Sequence, residues 1–209
     1  ELQSINLGKI VTIGDYAFQE TMKLKSVDLS SAENIGKYAF VNGEVLADVI
    51  LNPNGSNLGE GAFCYCGKLS SVDNLQFAKN IGDYAFAYTA ITDVDLSSAE
   101  IIGDYVFLKE QVTPFTVKLG NALISVGDNP FAMCQIKPFS VDVVVTFNGV
   151  DYVTQSYTYD ISDTVKIIDG SLYSKVNNGY ELIVYAGTEY EDVHVADGTI
   201  RITGHAFAG

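Results

Sequence analysis

Three cysteines are the side chains of this 209-residue chain best suited to chemistry, because a thiolate can act as a nucleophile or bind a metal. Cys64 and Cys66 are separated by one residue, and Cys134 lies far along the chain. A bridge between two cysteines at the first spacing is strained, and three cysteines are too few for a disulfide framework. The sequence therefore favours buried, unpaired thiols.

Two histidines, His194 and His205, are the other residues that could act as a base or as metal ligands. The sequence contains no Gly-x-Ser-x-Gly, no His-Glu-x-x-His and no cysteine placed to pair with a histidine. We therefore predict that the protein is not an enzyme and that both histidines have structural positions.

Several carboxylates lie close together in the sequence, and clusters of oxygen ligands can bind calcium. None of these runs matches a calcium-binding loop, so we interpret them as solvated acidic surface and predict neither a metal nor a cofactor. The groups are Asp93 with Asp95, Asp160 with Asp163, and Glu189 with Glu191 and Asp192.

The overall charge excludes two classes of partner. The chain has 12 basic and 26 acidic residues, a net charge of −14 that repels nucleic acid phosphates and anionic lipids.

The longest apolar runs, such as 143–145, are far shorter than the roughly 18 residues that a membrane span needs. We predict no nucleic acid partner and no membrane insertion.

One phrase recurs along the chain and determines how these side chains are placed. It reads Ile-Gly-x-Tyr-Ala-Phe in its clearest copies, and successive phenylalanines are 22, 23, 23, 21 and 24 residues apart. A repeat of this length indicates a solenoid in which each copy forms one coil. The copies lie at 13–18, 35–40, 58–63, 81–86, 102–107, 126–131 and 202–207.

A second apolar set precedes each phrase, as at Leu24, Val27 and Leu29. Its apolar-x-apolar alternation has the two-residue period of a strand with one buried face. Because the strand recurs in every repeat, we expect a parallel strand ladder. The rest of each repeat has room for short turns or a 3-10 helix on the return side, but not for a full helix.

Each residue of the phrase has an expected role. We interpret glycine as permitting a tight corner, alanine as allowing neighbouring coils to approach, and phenylalanine as filling the interior in a stacked spine. The tyrosines either pack between coils or form a stacking face for sugar rings, and we prefer packing. They are Tyr16, Tyr38, Tyr84 and Tyr105.

The combination of Leu-x-x-Val-x-Leu with Ile-Gly-x-Tyr-Ala-Phe resembles the BspA-type leucine-rich repeats of bacterial surface proteins over residues 1 to about 134. This resemblance implies an extracellular or cell-surface location and a role in binding or adhesion. The family often has cysteine three residues after the phenylalanine, as at Cys66 and Cys134, which implies packing. We predict a right-handed, β-rich leucine-rich-repeat solenoid.

Two β-hairpins are predicted in the C-terminal third, where the phrase is missing and tyrosine and β-branched residues are frequent. Asn148-Gly149 is a strong signal for a two-residue hairpin turn, and 177–179 indicates a second. Neither end has a polar cap, which predicts a segment of a longer array. We divide the chain into leucine-rich repeats at 1–137, a β-hairpin-rich inserted segment at 138–189, and a final, truncated repeat at 190–209.

Solenoids usually recognise partners through the outward positions of their strand ladder. This stripe is mixed and partly acidic, which suits a polar protein or a glycan at the cell exterior, bound by a monomer. The outward positions are Asn6, Asp28, Ile50, Asn74, Asp95, Lys118 and His194, and all of them except Ile50 are candidate partner-binding residues.

Two alternatives to protein binding through the ladder remain open. The tyrosine-rich hairpins at 138–185 could form a carbohydrate-binding platform with Tyr152, Tyr157 and Tyr159. The chain could also be a structural spacer within a longer surface protein.

Overall fold

The repeats coil into a β-solenoid in a computed structural model, and equivalent strands of successive coils pair in parallel. The predicted solenoid with a parallel strand ladder is confirmed. The structure describes residues 2–136, 141–147, 150–156, 159–168, 171–185, 195–203 and 206.

The first strand of each coil arises from the apolar-x-apolar alternation. Val27 and Val49 are buried in register with each other, while the residues on either side of each valine face solvent. We call the outward surface of five such strands the front ladder. They are β2 (Ser26–Asp28), β4 (Asp48–Ile50), β6 (Ser71–Asp73), β8 (Asp93–Leu96) and β10 (Thr113–Leu119).

The second strand of each coil begins the recurring phrase and is only two residues long. Its second residue is buried, as with Ile35 and Ile81, and its first faces outward. These strands pair in parallel to form what we call the corner ladder. They are β1 (Thr12–Ile13), β3 (Asn34–Ile35), β5 (Asn57–Leu58), β7 (Asn80–Ile81), β9 (Ile101–Ile102) and β11 (Ser125–Val126).

Turns and one short helix complete the coils. A 3-10 helix at Leu75–Phe77 lies between β6 and β8, and it interrupts the pairing of the front ladder at that point. The strand β12 (Cys134–Ile136) pairs with the first half of β10. Short turns and 3-10 structure on the return side therefore occur as predicted.

A stack of phenylalanine rings fills the interior. The rings of Phe40, Phe63, Phe86 and Phe107 follow one another at centroid distances of 5.2 to 5.5 Å, with interplanar angles of 9° or less. All four side chains are fully buried, and Phe131 extends the stack. The spacing matches the distance between hydrogen-bonded strands, so each coil adds one ring to the predicted spine.

The prediction that the glycine of the phrase permits the tight corner is wrong. The tight corner is formed by the tyrosine position, where Tyr16 and Tyr84 have φ of 57° and 56°. The glycine instead allows coils to approach, because a Cβ on Gly59 or Gly82 would lie 2.7 Å from backbone atoms of the preceding coil. We had assigned that approach to the alanine, which is buried beside the spine, as at Ala85.

Mostly antiparallel strands follow the coils, the last of them pairing in parallel with its neighbour, and both predicted hairpins form. Phe147 pairs with Val150 across the first, and Val176 pairs with Gly179 across the second. The division of the chain at 137 and 189 stays a prediction. The strands are β13 (Val141–Phe147), β14 (Val150–Ser156), β15 (Tyr159–Asp160), β16 (Val165–Ile168), β17 (Ser171–Val176), β18 (Gly179–Val184) and β19 (Thr199–Ile202).

Candidate functional site

The outward side chains of the front ladder align from coil to coil in a first column at the ends of the strands. Asp28, Ile50 and Asp73 are in register in β2, β4 and β6. Asp95 of β8 pairs with Lys118 of β10 in the same way. Of the predicted site residues, Asp28 lies in the first of these paired groups, beside Ile50, and Asp95 and Lys118 lie together in the second.

A second column runs along the beginnings of the same strands. Asp48 lies in register between Ser26 and Ser71, and Asp93 pairs with Thr116. The two columns together place five carboxylates, at positions 28, 48, 73, 93 and 95, against the single ammonium group of Lys118. The front ladder is therefore an acidic, polar surface with one basic position at its β10 edge.

Local hydrogen bonds hold two of these carboxylates in their ionised form. Hydrogen bonds from the Ser30 hydroxyl and from the Ser30 backbone N–H, the latter to Asp28 Oδ1 at 2.9 Å, lower the pKa of Asp28. Partial burial opposes ionisation of Asp95, but hydrogen bonds from Lys118 Nζ at 2.8 Å and from the Ser97 N–H at 2.9 Å outweigh it and lower its pKa. Both groups are negatively charged at neutral pH.

Asn74 does not occupy the outward position that the sequence predicts for it. That repeat has one extra residue before its last leucine, so Asp73 takes the position in register with Ile50. Asn74 instead adopts a left-handed conformation with φ 67° and donates from Nδ2 to the Leu51 carbonyl oxygen at 2.9 Å. Its side chain ties two coils together.

The structure describes three of the remaining predicted site residues, which are Asn6, Tyr152 and Tyr159. Asn6 is exposed, and its Oδ1 accepts the Gly8 N–H at 2.8 Å. The backbones of Tyr152 and Tyr159 belong to β14 and β15. Tyr157 and His194 lie outside the described residues.

The cysteines lie in the core, as their placement in the repeat implies. Cys66 Sγ donates to the Phe40 carbonyl oxygen at 3.2 Å, and Cys134 Sγ donates to that of Phe107 at 3.3 Å. Burial raises the pKa of Cys64 to about 11 and those of the other two thiols to about 12. Thiols in this state are poor nucleophiles at neutral pH.

Among the residues that the structure describes, no three histidine, cysteine or carboxylate side chains are arranged to hold a metal ion. In the same part of the chain, no helix has the length and apolar character needed to cross a membrane.

The tyrosines of the phrase pack between coils, and some are also exposed. The rings of Tyr16 and Tyr38 stack at 5.4 Å, as do those of Tyr84 and Tyr105. Gly61 takes the tyrosine position between the two pairs and leaves space that the Tyr38 ring occupies. Packing between coils, which the sequence favoured, is therefore observed.

Tyr38 also bonds to the next coil. Its hydroxyl donates to Glu60 Oε1, and Lys37 Nζ lies 3.1 Å from Glu60 Oε2. The hydrogen bond to Glu60 raises the pKa of Tyr38 to about 12 and lowers that of Glu60. This cluster links two coils on the surface where the tyrosine row is interrupted.

One lysine is buried, which the sequence did not predict. Lys109 Nζ donates to the carbonyl oxygens of Thr89 at 2.8 Å and Ile91 at 2.6 Å, and it lies 5.5 Å from the centre of the Phe115 ring. Burial lowers its pKa. The side chain satisfies two backbone acceptors at the coil boundary that precedes β10.

The corner ladder carries a polar groove that the sequence did not predict. It has a volume of about 250 Å³ and lies beside a row of three asparagines, in which Asn57 Nδ2 donates to Asn34 Oδ1 at 3.0 Å and Asn80 Nδ2 donates to Asn57 Oδ1 at 2.6 Å. The recurrence of asparagine one residue before the phrase was visible in the sequence. The lining includes Glu33, Asn52, Asn54, Ser56, Asn57 and Lys79.

The sequence profile described as "BspA type Leucine rich repeat region" matches residues 1–113 and 79–209, with six copies. The chain belongs to the BspA-type leucine-rich repeat family. The match extends to the last residue, beyond the 134 residues over which the resemblance was first noted. A search of curated proteins found no significant match.

Two crystal structures of leucine-rich proteins share the fold. One is a leucine rich cell surface protein from Faecalibacterium prausnitzii A2-165, with 21% identity and a TM-score of 0.53 over 95% of this chain and 56% of that one. The other is a leucine-rich repeat protein from Eubacterium ventriosum ATCC 27560, with 16% identity and a TM-score of 0.57 over 86% and 50%. This chain therefore spans about half the length of each.

Proposed function

We propose that this BspA-type repeat chain is a non-catalytic adhesion module of a bacterial cell-surface protein, and that it binds a partner protein through the front ladder. The cell-surface assignment is supported by the family and by the description of the Faecalibacterium prausnitzii neighbour as a cell surface protein. The module acts as a monomer in this proposal.

The observation that carries the proposal is the alignment of carboxylates along the front ladder. Five acidic side chains project outward from strands whose parallel pairing repeats their positions from coil to coil, within β2, β4 and β6 and again within β8 and β10, so their charges add rather than cancel. Complementary charge across an interface directs association and selects partners. The proposed partner therefore presents a basic surface.

The exposed side chain of Ile50 gives the surface an apolar contact among the charges. Interfaces combine an apolar centre with a polar rim, and Ile50 lies between Asp28 and Asp73 in its column. We propose that Ile50 contacts the partner directly.

The experiment is binding of the chain to an array of host matrix proteins and polysaccharides, at several salt concentrations. A triple variant carrying Asp48→Asn, Asp73→Asn and Asp93→Asn removes charge from the front ladder and keeps side-chain size. Its matched control carries Asp15→Asn, Glu33→Gln and Glu100→Gln, which remove the same charge from other surfaces.

We expect a protein ligand whose affinity falls with added salt and falls at least tenfold in the front-ladder variant but not in the control. Equal loss in both variants would show an effect of net charge alone. Binding to no protein on the array would favour the spacer alternative. A polysaccharide ligand that is insensitive to the triple variant but lost when Tyr152, Tyr157 and Tyr159 are replaced by alanine would favour the hairpin platform.

A further inference from the structure

The polar groove of the corner ladder results from one short side chain between two long charged ones. The residues just before Asn34, Asn57 and Asn80 in successive coils are Glu33, Ser56 and Lys79. Glu33 and Lys79 are exposed and line the groove, while Ser56 is buried at its base. The carboxylate and the ammonium group thus form opposite walls, two coils apart.

The base of the groove is a network of amides and one hydroxyl. Ser56 Oγ donates to the Ala32 carbonyl oxygen at 2.9 Å, and Asn52 Oδ1 accepts the Asn54 N–H at 2.9 Å. These bonds fix the side chains of Ser56 and Asn52, which are only 2% and 6% exposed. The site is therefore preorganised.

Asn52 has an unused donor that faces this groove. Its Oδ1 is committed to Asn54, and across the described ranges no protein acceptor lies within hydrogen-bond distance of its Nδ2. The Asn52 side chain is 6% exposed and lines the groove, so a ligand hydroxyl there can accept from this nitrogen in place of water. The side chain of Asn54 at the rim and the ammonium of Lys79 add further donors.

We propose that the groove binds one ring of a neutral sugar, presented at the end of a glycan. Sugar hydroxyls both donate and accept, and the lining offers both functions: Asn52 Nδ2 and Lys79 donate, and the Glu33 carboxylate accepts. A volume of about 250 Å³ lies just below the range for drug-sized ligands, so the ligand is a single ring.

Charged small ligands fit the groove less well. Neighbouring coils are about 4.8 Å apart, so the backbones of Glu33 and Lys79 lie about 10 Å apart on either side of the groove. A simple anion would leave the Glu33 carboxylate without a partner. It would also compete with Glu100 for Lys79, because Lys79 Nζ already lies 4.0 Å from Glu100 Oε1. The site is separate from the front ladder, so the inference does not depend on the proposed function.

The experiment is an NMR titration of the isotope-labelled chain with methyl glycosides of glucose, galactose, mannose and N-acetylglucosamine, reading side-chain amide signals. Asn52→Asp keeps the acceptor for the Asn54 N–H but removes the free donor. Asn6→Asp is the matched control, because Asn6 Oδ1 also accepts an N–H two residues ahead and lies outside the groove. Lys79→Met provides a second groove variant at an exposed position.

We expect at least one glycoside to cause saturable shifts of the Asn52, Asn54 and Asn57 amides. Asn52→Asp and Lys79→Met should each weaken this binding roughly three- to tenfold, the value of one hydrogen bond, and Asn6→Asp should leave it unchanged.

Three results would overturn the inference. They are no saturable shift with any glycoside, equal affinity in Asn52→Asp and Asn6→Asp, and shifts produced by sodium acetate but not by the glycosides. The triple variant of the front ladder should bind the glycoside normally, which separates this test from that of the proposed function.

Discussion

The α-carbon of Gly82 faces the backbone nitrogen of Glu60 so closely that a Cβ on Gly82 would lie 2.7 Å from that atom. The same close approach to the backbone of the preceding coil recurs in this BspA-type solenoid at Gly36, Gly59, Gly103 and Gly127. Gly14 has no atom within 4 Å of its equivalent position. One residue type in the repeat thus sets how closely the coils stack.

Gly82→Ala should destabilise the protein, because the added methyl group meets backbone that cannot move without breaking the corner ladder. Overpacking of this kind costs about 1 to 3 kcal/mol in the free energy of unfolding. Gly14→Ala is the matched control and should leave stability within about 0.5 kcal/mol of the wild type. Urea denaturation of both variants measures the difference, and equal stabilities would refute the close-approach role of glycine.

Asp83 stabilises the solenoid through a hydrogen bond that its side chain accepts from the next coil. Its Oδ1 accepts the Asp104 N–H of the next coil at 2.8 Å, as Asp104 Oδ1 does for Asp128 at 2.7 Å. Asp83→Ala leaves that N–H without its partner and should lower the free energy of unfolding by about 1 kcal/mol. Asp83→Asn keeps an acceptor and should lose less; if both variants lose the same amount in urea denaturation, charge and not the hydrogen bond is responsible.

The bond between Tyr38 and Glu60 predicts a dependence of stability on pH. Because Tyr38 has a pKa near 12 in the folded chain, its contribution is fully present below the usual tyrosine pKa of 10.0 and is lost as pH rises toward 12. The lowered pKa of Glu60 adds a contribution that is lost in acid, as pH falls below the usual range of a glutamate.

The phenolate absorbance of the wild type minus that of Tyr38→Phe isolates the Tyr38 titration. We expect a midpoint near 12 in the native chain and a lower midpoint in Glu60→Gln, which cannot hold a negative charge at the acceptor. A wild-type midpoint near 10 would contradict the predicted bond.

The thiols of Cys64, Cys66 and Cys134 should be unreactive toward thiol reagents until the chain unfolds. All three are buried, and their raised pKa values leave almost no thiolate at neutral pH. A thiol reagent should therefore modify the native chain very slowly and modify three cysteines in denaturant. Rapid modification of the native chain would show that a thiol is accessible and reactive.

Much of the coil could be predicted because one residue type has one environment in every repeat. Phe63 and Phe86 occupy identical interior positions, so the phenylalanine period alone gives the spine. The pairing of β13 with β14 could be predicted because the Asn-Gly sequence between them has a strong local preference for a two-residue turn. These features need no knowledge of side-chain contacts.

Other features depend on what lies one coil away, and single-sequence reasoning does not supply that. The role of Gly82 depends on Glu60, which is 22 positions earlier, and the shift from Asn74 to Asp73 depends on register with Ile50. The groove exists because Ser56 is short between two longer neighbours in other coils. Placing the repeats side by side would have revealed such columns.

Carbodiimide labelling of carboxylates, with and without a protein partner captured on the array, tests the central claim most directly. If the partner binds the front ladder, labelling of Asp48, Asp73 and Asp93 should fall on binding, while that of Asp83 and Glu33 on other surfaces should not change. Protection of Asp83 or Glu33 with no change along the front ladder would contradict the account.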